Sequence, residues 1–267
     1  MKISFVGGGV MCEALVSGIL KSSLAESSDV VVSDPSVDRR SHLEDLYSIE
    51  TVSNNTDLLD RDGIIVIAVK PQILSYVLSD LDGRLRSDRT VASIVAGVNA
   101  KTLKDGLSHE SIVRIMPNTP AQIGSGMTVW TATETVSETD RADISNMIET
   151  LGEGYYVDDE KLIDMSTALS ASGPAYVFLF LEALIDAGVY LGMTRDMARE
   201  LAIETVIGSA RLVRESGKHP AVLKDMVTSP GGTTIEALVS MENDCFRAAV
   251  INAVRSAFER SIELGNQ

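Results

Sequence analysis

The sequence predicts a two-part chain: a doubly wound, mostly parallel α/β sheet in residues 1–159, then an all-helical domain in residues 160–267. Two observations carry this. Through the first half, short near-continuous apolar runs alternate with stretches of helical period, at about 30 residues per unit, as in sheets covered by helices on both faces. From Glu160 onward nothing reads as a strand. A length of 267 residues suits one large or two modest domains at ~100–200 residues each. Hydrophobic residues at 45% and charged residues at 23% are ordinary for a globular protein and exclude wholesale disorder.

Taken in order, Ile3–Val6 is the first apolar run, and Met11–Leu20 has the spacing of a helix. Val30–Ser33, Ile64–Val69, Val91–Val95 and Ile112–Met116 follow as strands, with helices expected over Arg39–Leu46 and Ile73–Leu81. Gly126–Thr131 reads as one more strand and Asp140–Leu151 as one more helix. In the second half, helical patterns occupy about 160–170, 174–192, 195–216 and 244–264, broken at Ser172-Gly173-Pro174, Gly217–Pro220 and Ser229–Gly232. Ser172 is expected to cap a helix that carries Pro174 in its first turn. The most apolar stretch, Ala175–Met193, holds Glu182 and Asp186 in its middle, which a bilayer would penalise, so it reads as a buried soluble helix. Tyr176–Leu181 nevertheless carries more apolar surface than a monomeric bundle hides, and self-association is its natural outlet.

Lys plus Arg total 23 against 38 Asp plus Glu, a formal charge of −15. That field repels nucleic acid and anionic membrane surfaces, so neither is an expected partner, and any anionic ligand must be held by local groups. Two cysteines, Cys12 and Cys245, make no disulfide framework. With no targeting segment visible at Met1–Val6, the expected location is the cytoplasm. His42, His109 and His219 sit in polar, exposed-looking contexts, none at a recognisable spacing from a carboxylate or cysteine. No metal-ligand, CxxC or GxSxG pattern is present, so hydrolase readings have no support and no metal is expected.

The strongest local signal is Val6-Gly7-Gly8-Gly9-Val10-Met11-Cys12, which follows the first strand and opens the first helix. In such a loop one glycine makes the turn and another lets backbone amides approach a pyrophosphate, while the third position needs a small residue, here Cys12. The helix amino end then supplies positive potential that a −15 protein otherwise lacks. This predicts a Rossmann-type sheet that binds a dinucleotide. Asp34, 25 residues after Gly9, ends the second strand and would accept hydrogen bonds from ribose hydroxyls, favouring NADH. Arg39 and Arg40 follow closely, as phosphate ligands or as solvated charges, and the preference between NADPH and NADH stays open. Ala68-Val69-Lys70-Pro71-Gln72 lies at a strand end facing the cofactor crevice, with Lys70 either aimed at a substrate carboxylate or a surface lysine at a helix start. Ala96-Gly97 and Met116–Pro120, in which Asn118 is stiffened by flanking prolines, extend the same edge. Val227-Thr228-Ser229-Pro230-Gly231-Gly232-Thr233-Thr234 is either a nest of donors suited to a carboxylate or an ordinary turn in which Thr233 or Thr234 caps the next helix.

Along essentially its whole length the chain resembles pyrroline-5-carboxylate reductases. The resemblance rests on Phe5–Met11 with Glu13-Ala14-Leu15, Ala68–Gln72 and Arg114–Pro120, and in the helical half on Ser172–Tyr176 with Glu182-Ala183-Leu184 and His219–Thr234. It departs at Cys12, where alanine is usual, at Ala171, where glycine is usual, and at Asp34, where NADPH-preferring members commonly lack an acid. The resemblance implies hydride transfer from NADPH or NADH to the C=N carbon of 1-pyrroline-5-carboxylate, giving L-proline, in a homodimer with interlocked helical domains. It implies that Gly7, Gly8, Gly9, Val10, Met11, Ser33, Asp34 and Asn55 hold the cofactor's phosphates and adenosine. Ala68, Val69, Lys70, Pro71, Ala96, Gly97 and Asn118 would border its nicotinamide. Ser229, Gly231, Gly232, Thr233 and Thr234, supplied by the second subunit, would bind the substrate carboxylate, with Thr234 and Lys70 as the catalytic candidates. A related imine or 3-hydroxy-acid reductase would need a lysine on a helix of the second domain, where only Lys161 lies between residues 160 and 217. A non-catalytic nucleotide sensor would lose the Gly231–Thr234 nest, which is intact.

Overall fold

The computed structural model describes residues 1–265. Eight strands form one sheet in the order β3-β2-β1-β4-β5-β6-β7-β8: β1 Ile3–Val6, β2 Val30–Ser33, β3 Glu50–Val52, β4 Ile64–Ile67, β5 Val91–Ser93, β6 Ile112–Met116, β7 Gly126–Ala132 and β8 Gly152–Tyr156. All neighbours run parallel except β6 and β7. The order reverses between β1 and β4, and open sheets of this kind bind ligands beyond the strand ends at such a switch point. Strand alternation divides the core. Val30 and Val32 pack on the face covered by α1 (Val10–Lys21) and α5 (Glu138–Glu149), whereas Val31, Ile65 and Ile67 pack on the face of α3 (Leu74–Leu81) and α4 (Ala100–Leu107).

The expected strands and helices recur, with β4 and β5 ending two residues sooner than their apolar runs. The reading of the sequence missed β3, β8 and α4. β3 and β8 are the sheet edges, each with one neighbour and mostly exposed or half-buried side chains, so neither shows a buried-strand run. α4 is short and carries two lysines, an aspartate and a glycine, and it is anchored by the Asn99 side chain, which accepts from the Thr102 amide at 2.7 Å. The helix expected from Arg39 is α2, Val37–Tyr47, capped by Ser36.

The chain divides into two compact units, residues 1–172 with 257–267, and residues 173–256. The first unit runs past residue 160 because α6 (Lys161–Ser166) is bound to the sheet. Arg114, on β6 and only 3% exposed, donates to Glu160 at 2.6 Å and to Asp164 at 3.4 Å, and Glu160 also accepts the Ala100 amide at 2.6 Å. Beyond α6 the chain widens into a π turn, Thr167–Ala171. Ser172 therefore has helical dihedrals and is not an N-cap, because the helix does not begin there. Pro174 has no amide for the Ser170 carbonyl four residues back, and the Asn118 side chain donates to that carbonyl at 3.2 Å instead.

The second unit holds α7 (Gly173–Tyr190), α8 (Arg195–Ser216), α9 (Pro220–Met226), α10 (Thr233–Asn243) and the start of α11 (Phe246–Gly265). α9, missed in the sequence, is capped by the His219 ring, which accepts from the Ala221 amide at 3.2 Å. α7 is not buried within the chain as expected: Phe178 is 61% and Leu179 68% exposed. Its contact with α8 uses small groups, Gly188 against buried Ala198, so the large side chains stay outside. Residues Lys161–Tyr190 are also long and apolar enough to cross a membrane by length and composition. An exposed apolar face of this kind marks an association surface.

Removing the carboxylate of Glu160 leaves the buried Arg114 guanidinium with Asp164 alone. Glu160→Ala should therefore lower stability by about 2–3 kcal/mol, below the ~3–5 kcal/mol seen when a buried charge loses its whole partner. Denaturant unfolding followed by circular dichroism measures this, and an unchanged midpoint would show that Asp164 suffices.

Candidate functional site: a nucleotide cleft and a carboxylate loop

The glycine turn is shaped by space. Gly7 has φ +96°, and a Cβ there would stand 2.8 Å from the Ala68 carbonyl oxygen, so only glycine lets β1 turn against β4. Gly8 donates its amide to Asp34 Oδ2 at 2.8 Å. Gly9 is the N-cap of α1 in extended conformation, and a Cβ on it would meet nothing in the chain. Among the described residues no side-chain acceptor fills this helix end, where the amides of Val10 and Met11 begin the first turn. An open cradle beside free amides fits a pyrophosphate. Cys12 packs in the core behind the loop, where burial pushes its thiol far up and leaves it inert.

Eight of the expected cofactor residues, Gly7, Gly9, Ser33, Asp34, Asn55, Ala68, Val69 and Lys70, line one cleft of about 520 Å³. Ser33 Oγ donates to Asn55 Oδ1 at 2.9 Å, and Asn55 Nδ2 donates to Asp80 Oδ2 at 2.8 Å. Asp80 and Tyr76 were not anticipated. The signal was present, because Ile73, Val77 and Asp80 are spaced as one helical face and all three line the cleft. Pro71, Ala96 and Gly97 line a separate hollow of about 460 Å³ together with Leu264, whose Cβ would be 2.8 Å from a Cβ at Gly97. Asn118 lies in neither lining. Besides its bond to Ser170, it accepts the Met127 amide at 2.9 Å, so its amide braces the backbone.

The charged groups around the loop are more committed than their sequence contexts suggest. Asp34 accepts from the Gly8 amide and, at 2.9 Å, from the Ser36 amide, so it braces the turn as well as facing the cleft. Arg39 is neither solvated nor free. It donates to the Gly8 and Gly9 carbonyls and pairs with Glu13, while Arg40 donates to the Asp34 carbonyl at 2.7 Å. Burial raises the Glu13 carboxyl, but His42 at 3.1 Å and Arg39 outweigh it and hold the group below its ordinary range. His42 is thus paired with a carboxylate, against expectation. His109 is buried rather than exposed, its Nε2 2.7 Å from the Arg89 carbonyl oxygen.

In the second unit, the loop before α10 is an open helix end. Gly232 is the N-cap, with no side-chain bond to the first-turn amides, so neither Thr233 nor Thr234 caps the helix. The Thr234 side chain is half-buried, and Thr228 is turned away to the Lys224 carbonyl at 2.6 Å. Free amides, adjacent hydroxyls and a glycine at the cap are a carboxylate-sized donor set.

A switch-point glycine loop with an open helix end defines a dinucleotide-binding protein. Residues 2–97 match the NADP oxidoreductase coenzyme F420-dependent family model, and residues 160–264 match the pyrroline-5-carboxylate reductase dimerisation model. The chain is 39% identical over 267 residues to the pyrroline-5-carboxylate reductase of Synechocystis sp., covering 100% of this chain and 99% of that protein. It is 42% identical over 264 residues to the Escherichia coli protein of the same name, covering 98% of each. The crystal structure of Plasmodium falciparum pyrroline carboxylate reductase with NADP bound superposes with a TM-score of 0.90 at 35% identity, covering 99% of this chain and 98% of that one. The chain belongs to the pyrroline-5-carboxylate reductase family and is an NAD(P)H-dependent oxidoreductase. Its helical region is a self-association module, which accounts for the apolar surface left uncovered on α7.

Because the space at Gly9 is empty of protein, Gly9→Val should leave the melting temperature unchanged while its isopropyl group occupies the cradle. Calorimetric titration with NADP⁺ and NAD⁺ should show affinity lower by about five- to 150-fold, the cost of ~1–3 kcal/mol for overfilling a packed site. Wild-type affinity in the variant would show that the glycines serve the turn alone.

Proposed function

We propose that this chain reduces 1-pyrroline-5-carboxylate to L-proline, the last step of proline biosynthesis, with its cofactor in the cleft of the first unit and its substrate carboxylate on the loop before α10. The observation that carries this reading is the pair of unfilled helix ends, α1 and α10, one suited to a pyrophosphate and the other to a carboxylate. Both ligands are anions, and a chain of charge −15 can hold them only through such local donors. Bound NAD(P)H supplies the hydride. Gly7 to Met11 would hold the pyrophosphate, Ser33, Asp34 and Asn55 the adenosine ribose, and Ala68 to Lys70 the side of the nicotinamide, while Pro71, Ala96 and Gly97 shape the neighbouring hollow and Asn118 braces the backbone behind it. Ser229, Gly231, Gly232 and Thr233 hold the carboxylate.

Thr234 and Lys70 are assigned to the reaction itself. A hydroxyl both donates and accepts, so Thr234 Oγ1 stays hydrogen-bonded to the ring nitrogen as it passes from imine to amine. Lys70, at the β4 end of the cleft, adds positive charge where the substrate carboxylate and the cofactor meet. With the ring nitrogen already protonated as C=N⁺–H, hydride addition at carbon gives the neutral secondary amine directly, so no acid–base pair from the chain has to supply a proton. The protein is assigned to the cytoplasm, and its assembly to an interlocked dimer in which each loop serves the partner's cleft.

The direct test follows NAD(P)H absorbance with and without pyrroline-5-carboxylate. A folded protein that binds nucleotide and never turns over would be a sensor. Thr234→Ala should lower kcat/KM by about five- to 150-fold, the equivalent of ~1–3 kcal/mol of transition-state binding. Mixing it with Gly9→Val under subunit exchange should restore activity, because a mixed dimer holds one intact site. No recovery despite proven exchange would place both halves of each site in one chain.

A further inference from the structure

We propose that Asp80 is a positioning residue that sets the hydrogen-bond polarity of the Ser33–Asn55 pair, and so biases the cleft toward a nucleotide whose adenosine ribose carries a free 2′-hydroxyl. The inference rests on reading the cleft as the cofactor site. An ionised carboxylate only accepts hydrogen bonds. At 2.8 Å from Asp80 Oδ2, Asn55 must therefore present its NH₂ group, which turns its carbonyl oxygen toward Ser33. Ser33, 2.9 Å from that oxygen, must then donate, and its lone pairs are left to accept. The pair consequently offers the cleft one acceptor, Ser33 Oγ, and one donor, the second N–H of Asn55.

A hydroxyl gives one hydrogen bond and takes one, so it satisfies both groups. A 2′-phosphate only accepts, so it satisfies Asn55 and leaves Ser33 facing an anion. Without Asp80 the Asn55 amide is free to turn over, and Ser33 can then donate to a phosphate. Among the described residues the Asp80 carboxylate forms no ion pair, and Arg84 reaches only its backbone carbonyl, at 3.1 Å. Among the described residues no other side chain donates to the exposed Asp80 carboxylate, so Asn55 is its partner within the protein. Ser33 is the last residue of β2 and lines the cleft, so its backbone position is fixed by the sheet.

The test is calorimetric titration of the full-length protein with NADP⁺ and NAD⁺, which needs no turnover. Asp80→Asn, isosteric and able to donate, should shift the ratio of the two dissociation constants toward NADP⁺ by about fivefold or more, the scale of one hydrogen bond. In a Ser33→Ala background the same substitution should move the ratio by less than about twofold, because the polarity it sets is no longer read. A shift that persists in that background would be the plain loss of a negative charge and would overturn the proposal. So would an unchanged ratio, or equal weakening of both nucleotides with a lower melting temperature. A wild-type protein that binds neither nucleotide would instead refute the cleft as the cofactor site, an outcome separable from failure of the Asp80 proposal.

Discussion

At Gly7 the chain leaves β1 with φ +96° and passes so close to Ala68 that no side chain fits between them. Most of the cleft depends on that approach. It places the open end of α1 above the switch between β1 and β4, and it brings Gly8 within reach of the carboxylate at the end of β2. Asp34 and Arg39 then hold the turn from opposite polarities, the acid through amides and the base through carbonyls. The turn is fixed before any ligand arrives, so little conformational entropy remains to be lost on binding.

Charge explains why the site is built from backbone. A protein with 38 acids and 23 bases has no general attraction for a phosphorylated, carboxylated pair of ligands. Helix ends provide positive potential without a titrating group, and they keep it where aspartates lie nearby. The bases close to the glycine loop neutralise Glu13 and brace carbonyls, which keeps them from acting as free phosphate ligands. Self-association is the other consequence of composition, since α7 exposes Phe178 and Leu179 while burying only small groups against α8.

Which parts of this were legible in the sequence follows from the reach of each signal. The glycine loop, the buried strands and the helical second half are local patterns, readable because a strand covered on both faces must be apolar throughout and a close turn must be glycine. The family resemblance is likewise written in contiguous motifs, among them Ser229–Thr234. β3 and β8 were not legible, because an edge strand is made by its neighbour rather than by its own side chains.

The sequence by itself determined the fold class, the position of the nucleotide loop and the family. Only tertiary structure decided which polar groups are already taken. Asn118 serves the carbonyl that Pro174 leaves unpaired, Asp34 braces two amides, His42 pairs with Glu13, and Asp80 joins the cleft through Asn55. Glu160 and Asp164 bind Arg114, and so the first unit extends past the residue at which strand patterns cease. A hydrogen bond between residues 25 to 52 positions apart leaves no periodicity in the chain. Each partner's residue type is compatible with solvent, and it is the tertiary fold that brings the two within 3.4 Å.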